Sequence, residues 1–335
     1  MARSADAVRV AVYGCGRWAN RTHIPNLIQI EGAEVVALCD VDPQALGSTA
    51  AAFAIPGVKT FRNAHAMLAE ASFDALFSVV RARHRTDVEI RAAEQGCHLF
   101  SEKPQAETLG LARRIDDAVR QAGVLSTVGF RERYRPLFQR ARDHLLDKTI
   151  VQATFRSVYG LRAPRWTDAD TASPEQLPEE MLMSWGVHAV DYIRFLTGLD
   201  LTRVAGFEHQ PPPYLTPIAQ SLHAELTTGA PVSVIFVQAA AGVAPNLPAF
   251  DLYYEGGTLS LRRQGTNSWS LSVDGVEIAR DSTFDPWLAQ DRCFIEAIHT
   301  GDRRCLLNDY HDGLASLAPV LRAQHLARVA RGASG

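Results

Sequence analysis

Gly14, Gly16 and Ala19 follow the apolar run "VRVAVYG" as G-x-G-x-x-A, and Asp40 closes the next apolar run, "EVVALCD". In that setting each residue type has a task. Glycine at 14 permits a tight turn. Glycine at 16 lets the backbone approach a pyrophosphate, and the small Ala19 lets the following helix pack closely on the strand. Free N–H groups at the helix start then hold the anion. A carboxylate about 20 residues further on accepts from the ribose hydroxyls of an adenosine and repels a 2′-phosphate, so the pattern predicts NAD in preference to NADP. Arg17, beside the turn, serves either phosphate or simply solvates the helix start.

A second chemical candidate is Lys103 in "FSEKPQ". Pro104 biases Lys103 toward an extended backbone, projecting its side chain off a strand end. A lysine there can hydrogen-bond a substrate hydroxyl and stabilise the alkoxide that develops as hydride leaves the carbon. Unlike arginine, it can also shift its pKa and relay a proton. Composition sharpens the suspicion: among 34 basic residues only Lys59, Lys103 and Lys148 are lysines. A solvated strand-end lysine is the alternative. Arg81, Arg83, His84 and Arg85 follow the run "DALFSVV" and either clamp a carboxylate or phosphate of a substrate or form a solvated basic loop.

These residues need a scaffold that brings strand ends together. The first third alternates strand-like runs ("VRVAVYG", "EVVALCD", "DALFSVV", "CHLFSEK") with helical patterns. Asn63 and Thr108 read as helix N-caps, and Gly96 and Gly123 as stops. The alternation predicts an α/β domain with a parallel sheet and helices on both faces, over residues 1–126. The character then changes. One helical stretch, "MLMSWGVHAVDYIRFLTG", precedes long strand signals ("SLHAELTT", "PVSVIFVQAA", "FDLYYEG", "GTLSLRRQ", "SWSLSVDG"), with two helical patterns at the end. Residues 127–335 therefore read as an α+β domain with a mostly antiparallel sheet.

Size and composition set limits. The 335 residues favour two cores over one. A net charge of -3 gives no electrostatic reason to expect nucleic acid or an anionic membrane as partner. No apolar run has the length of a membrane span, and the first ten residues lack the apolar stretch of a signal peptide. Cys15, Cys39, Cys97, Cys293 and Cys305 are scattered, with no CxxC or Cys/His cluster, so no metal site is expected and the cysteines read as free thiols of a reducing cytoplasm.

With these motifs in hand, the chain resembles the glucose–fructose oxidoreductase, inositol dehydrogenase and MocA-like family. The resemblance is carried by "GCGRWANRTHIPNL", "CDVDP", "SEKP", "VGFRERYRP", "WGVHAVDYIRFLTG" and "DRCFIEAIHTG" and runs nearly end to end. It implies a Rossmann domain for NAD(P), an open-faced C-terminal sheet used for homodimer or homotetramer contacts, and oxidation or reduction of sugars and cyclitols in a cleft between the domains. It implies a catalytic role for His188 with Lys103. Ser184 stands where the family commonly has an aspartate. Serine can hydrogen-bond but cannot share a proton as a carboxylate would. Asp191, one turn on, orients His188 or serves as a cap or packing residue. The resemblance extends the cofactor set to Gly14, Gly16, Arg17, Trp18, Asp40, Val80, Arg81, His84, Glu102, Lys103 and Arg131. The substrate set becomes Lys103, Arg162, Trp166, Ser184, His188 and Tyr310. Trp166 would stack on a sugar ring or pack, and Arg131, Arg133 and Tyr134 would support the cleft.

The expected function is therefore an NAD-dependent dehydrogenase or reductase acting on a secondary alcohol or ketone of a sugar, cyclitol or sugar acid. Two other readings remain open: a redox-assisted glycosidase that keeps its NAD bound, and a non-catalytic NAD-binding sensor. Retention of both Lys103 and His188 speaks against the sensor; Ser184 keeps it in play.

Overall fold

A computed structural model describes residues 7–161, 180–240, 248–265 and 267–332. The chain divides into two compact units, Met1–Tyr134 with Asp285–Leu314, and Arg135–Phe284 with Ala315–Gly335. Residues 285–314 thus belong with the first unit although they follow the second in sequence, which a single boundary after residue 126 does not contain.

The first unit holds β1 (Val8–Tyr13), β2 (Ala33–Cys39), β3 (Lys59–Phe61), β4 (Ala75–Ser78), β5 (His98–Ser101) and β6 (Ser126–Val128). All pair in parallel in the order β3-β2-β1-β4-β5-β6. Val10, Val12, Leu76, Phe77, Leu99 and Phe100 are fully buried, as near-continuous apolar runs must be when both faces of a parallel sheet are covered. Its helices are α1 (Ile24–Gln29), α2 (Pro43–Phe53), α3 (Ala64–Glu70), α4 (Val88–Glu94) and α5 (Leu109–Ala122). Asn63 caps α3 by accepting from His65 and Ala66 N–H, and Thr108 caps α5 by accepting from Leu111 N–H. Gly123 ends α5 at φ +66°, a left-handed position that glycine takes without a Cβ penalty.

The second unit holds α6 (Pro136–Leu145), β7 (Ile150–Gly160), α7 (Val187–Thr197), β8 (Leu201–His209), β9 (Ala219–Leu226), β10 (Pro231–Ala240), β11 (Ala249–Tyr254), β12 (Gly257–Arg263), β13 (Trp269–Val273) and β14 (Val276–Asp281). Its sheet runs β14-β13-β12-β11-β7-β10-β9-β8, antiparallel throughout except for the central β7–β10 pair. Along β9 every second residue is buried, the pattern of a sheet with one covered face. Phe138 of α6 packs edge-on to Trp269 at 5.0 Å and to Tyr192 of α7 at 5.4 Å. Helix α8 (Pro286–Thr300) belongs to the first unit, and α9 (Tyr310–Gly332) lies in the second from Ala315 onward. Among the described residues, no helix is long and apolar enough to cross a membrane.

Candidate functional site

The order of the first sheet reverses at β1, which has β2 on one side and β4 on the other. Gly14 and Asp40 directly follow β1 and β2, and Val80 and Lys103 come second after the ends of β4 and β5. Four residues singled out from the sequence therefore collect at the carboxyl ends of the strands about the switch point, where open α/β sheets bind ligands.

Gly14 sits at φ +100°, and a Cβ there would lie 3.0 Å from Val79 C and from Val80 N and Cγ1. Only glycine fits. Gly14 N–H donates to Cys39 O at 2.8 Å, and Cys15 N–H donates to Asp40 Oδ2 at 2.7 Å. Asp40 Oδ1 accepts from Asp42 N–H at 2.9 Å. The carboxylate thus ties the end of β2 to the glycine turn. Gly16 is exposed, and a Cβ there would meet nothing within 4 Å; the space before the helix start is open. Asn20 Nδ2 closes the turn by donating to Cys15 O at 2.6 Å and Gly16 O at 3.0 Å. The helix opens with a wide π turn, Ala19–His23, before α1. Arg17 and Trp18 stand exposed at its start. Trp18 stacks on Trp287 at 6.3 Å, and the Arg131 guanidinium lies 4.3 Å from the centre of the Trp287 ring. A permissive turn, an open helix start and a carboxylate at the end of β2 fit a dinucleotide. Arg81 and His84, also expected here, are exposed around the short helix Ala82–His84.

Beside Lys103 lies a charged cluster that sequence reasoning missed. His23 is buried, with Nδ1 3.1 Å from both carboxylate oxygens of Asp291 and Nε2 3.2 Å from Glu102 Oε1. Asn26 Nδ2 donates to Asp291 Oδ2 at 2.8 Å. Burial alone would lower the His23 pKa, but the Asp291 charge and the hydrogen bonds to Asp291 and Glu102 raise it to about 10. Burial likewise opposes the charge of Glu102, yet His23, with Lys103 and Arg131, holds its carboxyl below the ordinary range. Phe100 lies edge-on to the imidazole at 4.9 Å. No local pattern announces the cluster, because Asp291 is 268 residues from His23.

Arg85 departs from the expected basic loop. Its side chain is fully buried, donating to Glu89 Oε1 at 3.0 Å, Ser101 Oγ at 2.8 Å, Ser78 Oγ at 3.1 Å and the Glu102 carbonyl. It braces the ends of β4 and β5 and is not exposed to clamp a ligand. Tyr310, expected at a cleft border, is fully buried, its N–H donating to Ser126 Oγ and its hydroxyl to Gln105 O. Arg162 and Trp166 lie outside the described residues.

In the second unit, α7 is also preceded by a π turn, Leu182–Gly186, which carries the half-buried Ser184. His188 is buried, its Nδ1 3.0 Å from the Tyr192 hydroxyl one turn on, with the Trp185 ring at 5.4 Å. Asp191 is fully buried and accepts from Ser316 Oγ at 2.9 Å, a contact that gives it a packing role against α9.

Comparison with known proteins agrees with this architecture. The model of an oxidoreductase family with an NAD-binding Rossmann fold matches residues 8–130. The chain is 34% identical over 203 residues to D-apiose dehydrogenase of Paraburkholderia graminis, covering 58% of this chain and 51% of that one. It is 28% identical over 200 residues to scyllo-inositol 2-dehydrogenase (NAD(+)) of Bacillus subtilis, covering 59% and 56%. It thus spans about half the length of the curated relatives it matches. The WlbA dehydrogenase of Bordetella pertussis, solved with NADH and UDP-GlcNAcA, shares the fold at a TM-score of 0.78 and 22% identity, over 97% of both chains. Residues 8–130 thus match the NAD-binding Rossmann fold of the glucose–fructose oxidoreductase, inositol dehydrogenase and MocA-like family of oxidoreductases.

Proposed function

We propose that the chain is an NAD-linked dehydrogenase or reductase acting on a secondary alcohol or ketone of a sugar, cyclitol or sugar acid. The observation that carries this is the gathering of Gly14, Asp40, Val80 and Lys103 at the carboxyl ends of four parallel strands about the switch point. The D-apiose and scyllo-inositol dehydrogenases among the relatives support the substrate class. Gly14, Gly16, Arg17 and Trp18 would hold the pyrophosphate side of the dinucleotide and Asp40 its ribose; Val80, Arg81, His84, Glu102 and Arg131 complete the candidate cofactor set. The Asp40 carboxylate favours NAD over NADP. When bound, NAD supplies the hydride acceptor or donor.

Lys103 is the candidate group for the substrate oxygen. It donates a hydrogen bond to the hydroxyl and stabilises negative charge developing there. His188 is the candidate for taking or returning the hydroxyl proton, with Ser184 as a hydrogen-bonding neighbour in the same helical stretch. The rationale for each lies in its own unit. The free cysteines support a cytoplasmic location. Exposed apolar side chains on the second sheet, Phe207, Val151 and Tyr253 among them, support a homodimer or homotetramer through that sheet.

The test is NAD reduction followed at 340 nm across sugars, cyclitols and sugar acids, for the wild type and Lys103→Ala. Turnover that falls about 1,000-fold in the variant is expected. No turnover with NAD that survives purification would favour a redox-assisted glycosidase. No turnover with exchangeable NAD would favour a sensor.

A further inference from the structure

We propose that Asp291, His23 and Glu102 act as one positioning triad for Lys103, anchoring the lysine's backbone and setting the charge that its amine meets. This deepens the reading above, in which Lys103 handles the substrate oxygen.

The geometry begins at His23. Both ring nitrogens face carboxylate oxygens, at 3.1 and 3.2 Å, and the ring is only 2% exposed. Ionised carboxylates can only accept, so the ring satisfies both by donating from both nitrogens, as an imidazolium. The raised pKa of His23 agrees with this. Asp291 is itself fixed by Asn26.

Glu102 passes the arrangement to Lys103. Its Oε1 meets His23, and its Oε2 accepts from the Lys103 backbone N–H at 3.0 Å. The carbonyl of the same peptide accepts from buried Arg85. Both polar ends of the peptide that carries Lys103 are therefore pinned. Room for the carboxylate comes from Gly129, where a Cβ would lie 2.9 Å from Glu102 Cδ and Oε1.

Packing alone gives little reason for this construction. A buried ion cluster is commonly no more stabilising than apolar side chains of the same volume. Here two carboxylates and one imidazolium leave one net negative charge next to the lysine, and Arg131 is the other cation acting on Glu102. Removing a charge from the triad must then shift the lysine's titration, with a sign set by the charge removed.

The chain's three lysines make this measurable without substrate or cofactor. The full chain is labelled with 13C-lysine, and the Cε signals of Lys59, Lys103 and Lys148 are followed against pH, with Lys59→Arg and Lys148→Arg fixing the assignment. Glu102→Gln removes a negative charge, so the Lys103 midpoint falls by about half a pH unit or more. His23→Gln removes a positive charge that is only partly present where a lysine titrates, so the midpoint rises, but by less. The Lys59 and Lys148 midpoints stay in place. A Lys103 midpoint that moves in neither variant, or in the same direction in both, overturns the proposal.

Should a variant fail to fold, the wild-type protein still decides through the 15N shifts of His23. Both ring nitrogens are expected to stay protonated from about pH 6 to 9, and a singly protonated ring at neutral pH overturns the triad. Neither readout uses turnover. A dehydrogenase with an unresponsive lysine would reject only the triad, and a responsive lysine in a chain with no turnover would reject only the enzymatic reading.

Discussion

His23 and His188 are both buried, one in each unit, and each follows or ends a π turn, yet they are held in opposite ways. His23 is clamped between two carboxylates, which force charge onto it in a site that would otherwise exclude charge. His188 has a phenol hydroxyl on Nδ1 and an indole beside it. A histidine locked in one protonation state suits anchoring and electrostatics. One whose ring nitrogen meets a hydroxyl, which can donate or accept, keeps both tautomers within reach and suits moving a proton. The residue clamped between two carboxylates is thus the positioning group, and the one whose ring nitrogen meets a hydroxyl is the candidate acid–base.

Removing one carboxylate from His23 gives the largest expected effect on stability. Asp291→Asn leaves a buried imidazolium with one anionic partner and should cost about 3 to 5 kcal/mol, read from urea unfolding. The pH dependence comes next. The folded pKa of His23, about 10, lies above its ordinary value of 6.5. Its stabilising contribution is therefore complete below about pH 6.5 and is lost as pH rises through 10. Wild-type unfolding free energy should fall across that window, and His23→Gln should flatten the decline. An equally steep variant would place the charge elsewhere. Gly129→Ala pushes a Cβ into the Glu102 carboxylate and should destabilise by about 1 to 3 kcal/mol, with loss of turnover larger than that loss of stability explains. Smallest is Tyr192→Phe, which removes one neutral hydrogen bond worth about 1 kcal/mol. If the Tyr192 hydroxyl biases the tautomers of His188, the same variant also shifts the pH profile of turnover. A loss as large as that of Asp291→Asn would erase the distinction between the two histidines.

Legibility in the sequence followed distance along the chain. The glycine turn, Asp40, the Asn63 and Thr108 caps and the Gly123 stop are local features, and each was readable from a few neighbouring residues. Strands β3 and β6, three residues each, are too short to show a period. Strand β7, at the centre of the second sheet, interrupts its apolar residues with Gln152, Arg156 and Ser157, and it was not singled out. Arg85 looked like its exposed neighbours Arg81 and His84 because its partners Ser101 and Glu102 lie one strand away. His23 was hidden most fully: its task depends on Asp291, brought back by residues 285–314 after the whole second sheet has been built.

The most direct test of the account is NADH and NADPH binding, followed by energy transfer from tryptophan to the nicotinamide, for the wild type, Gly14→Val and Asp40→Ala. The wild type should bind NADH more tightly than NADPH. Gly14→Val should abolish binding because its side chain has no room against Val79 and Val80, and Asp40→Ala should erase the preference between the two cofactors. Undiminished binding by Gly14→Val, or a wild type that binds neither dinucleotide, would contradict the assignment of the turn.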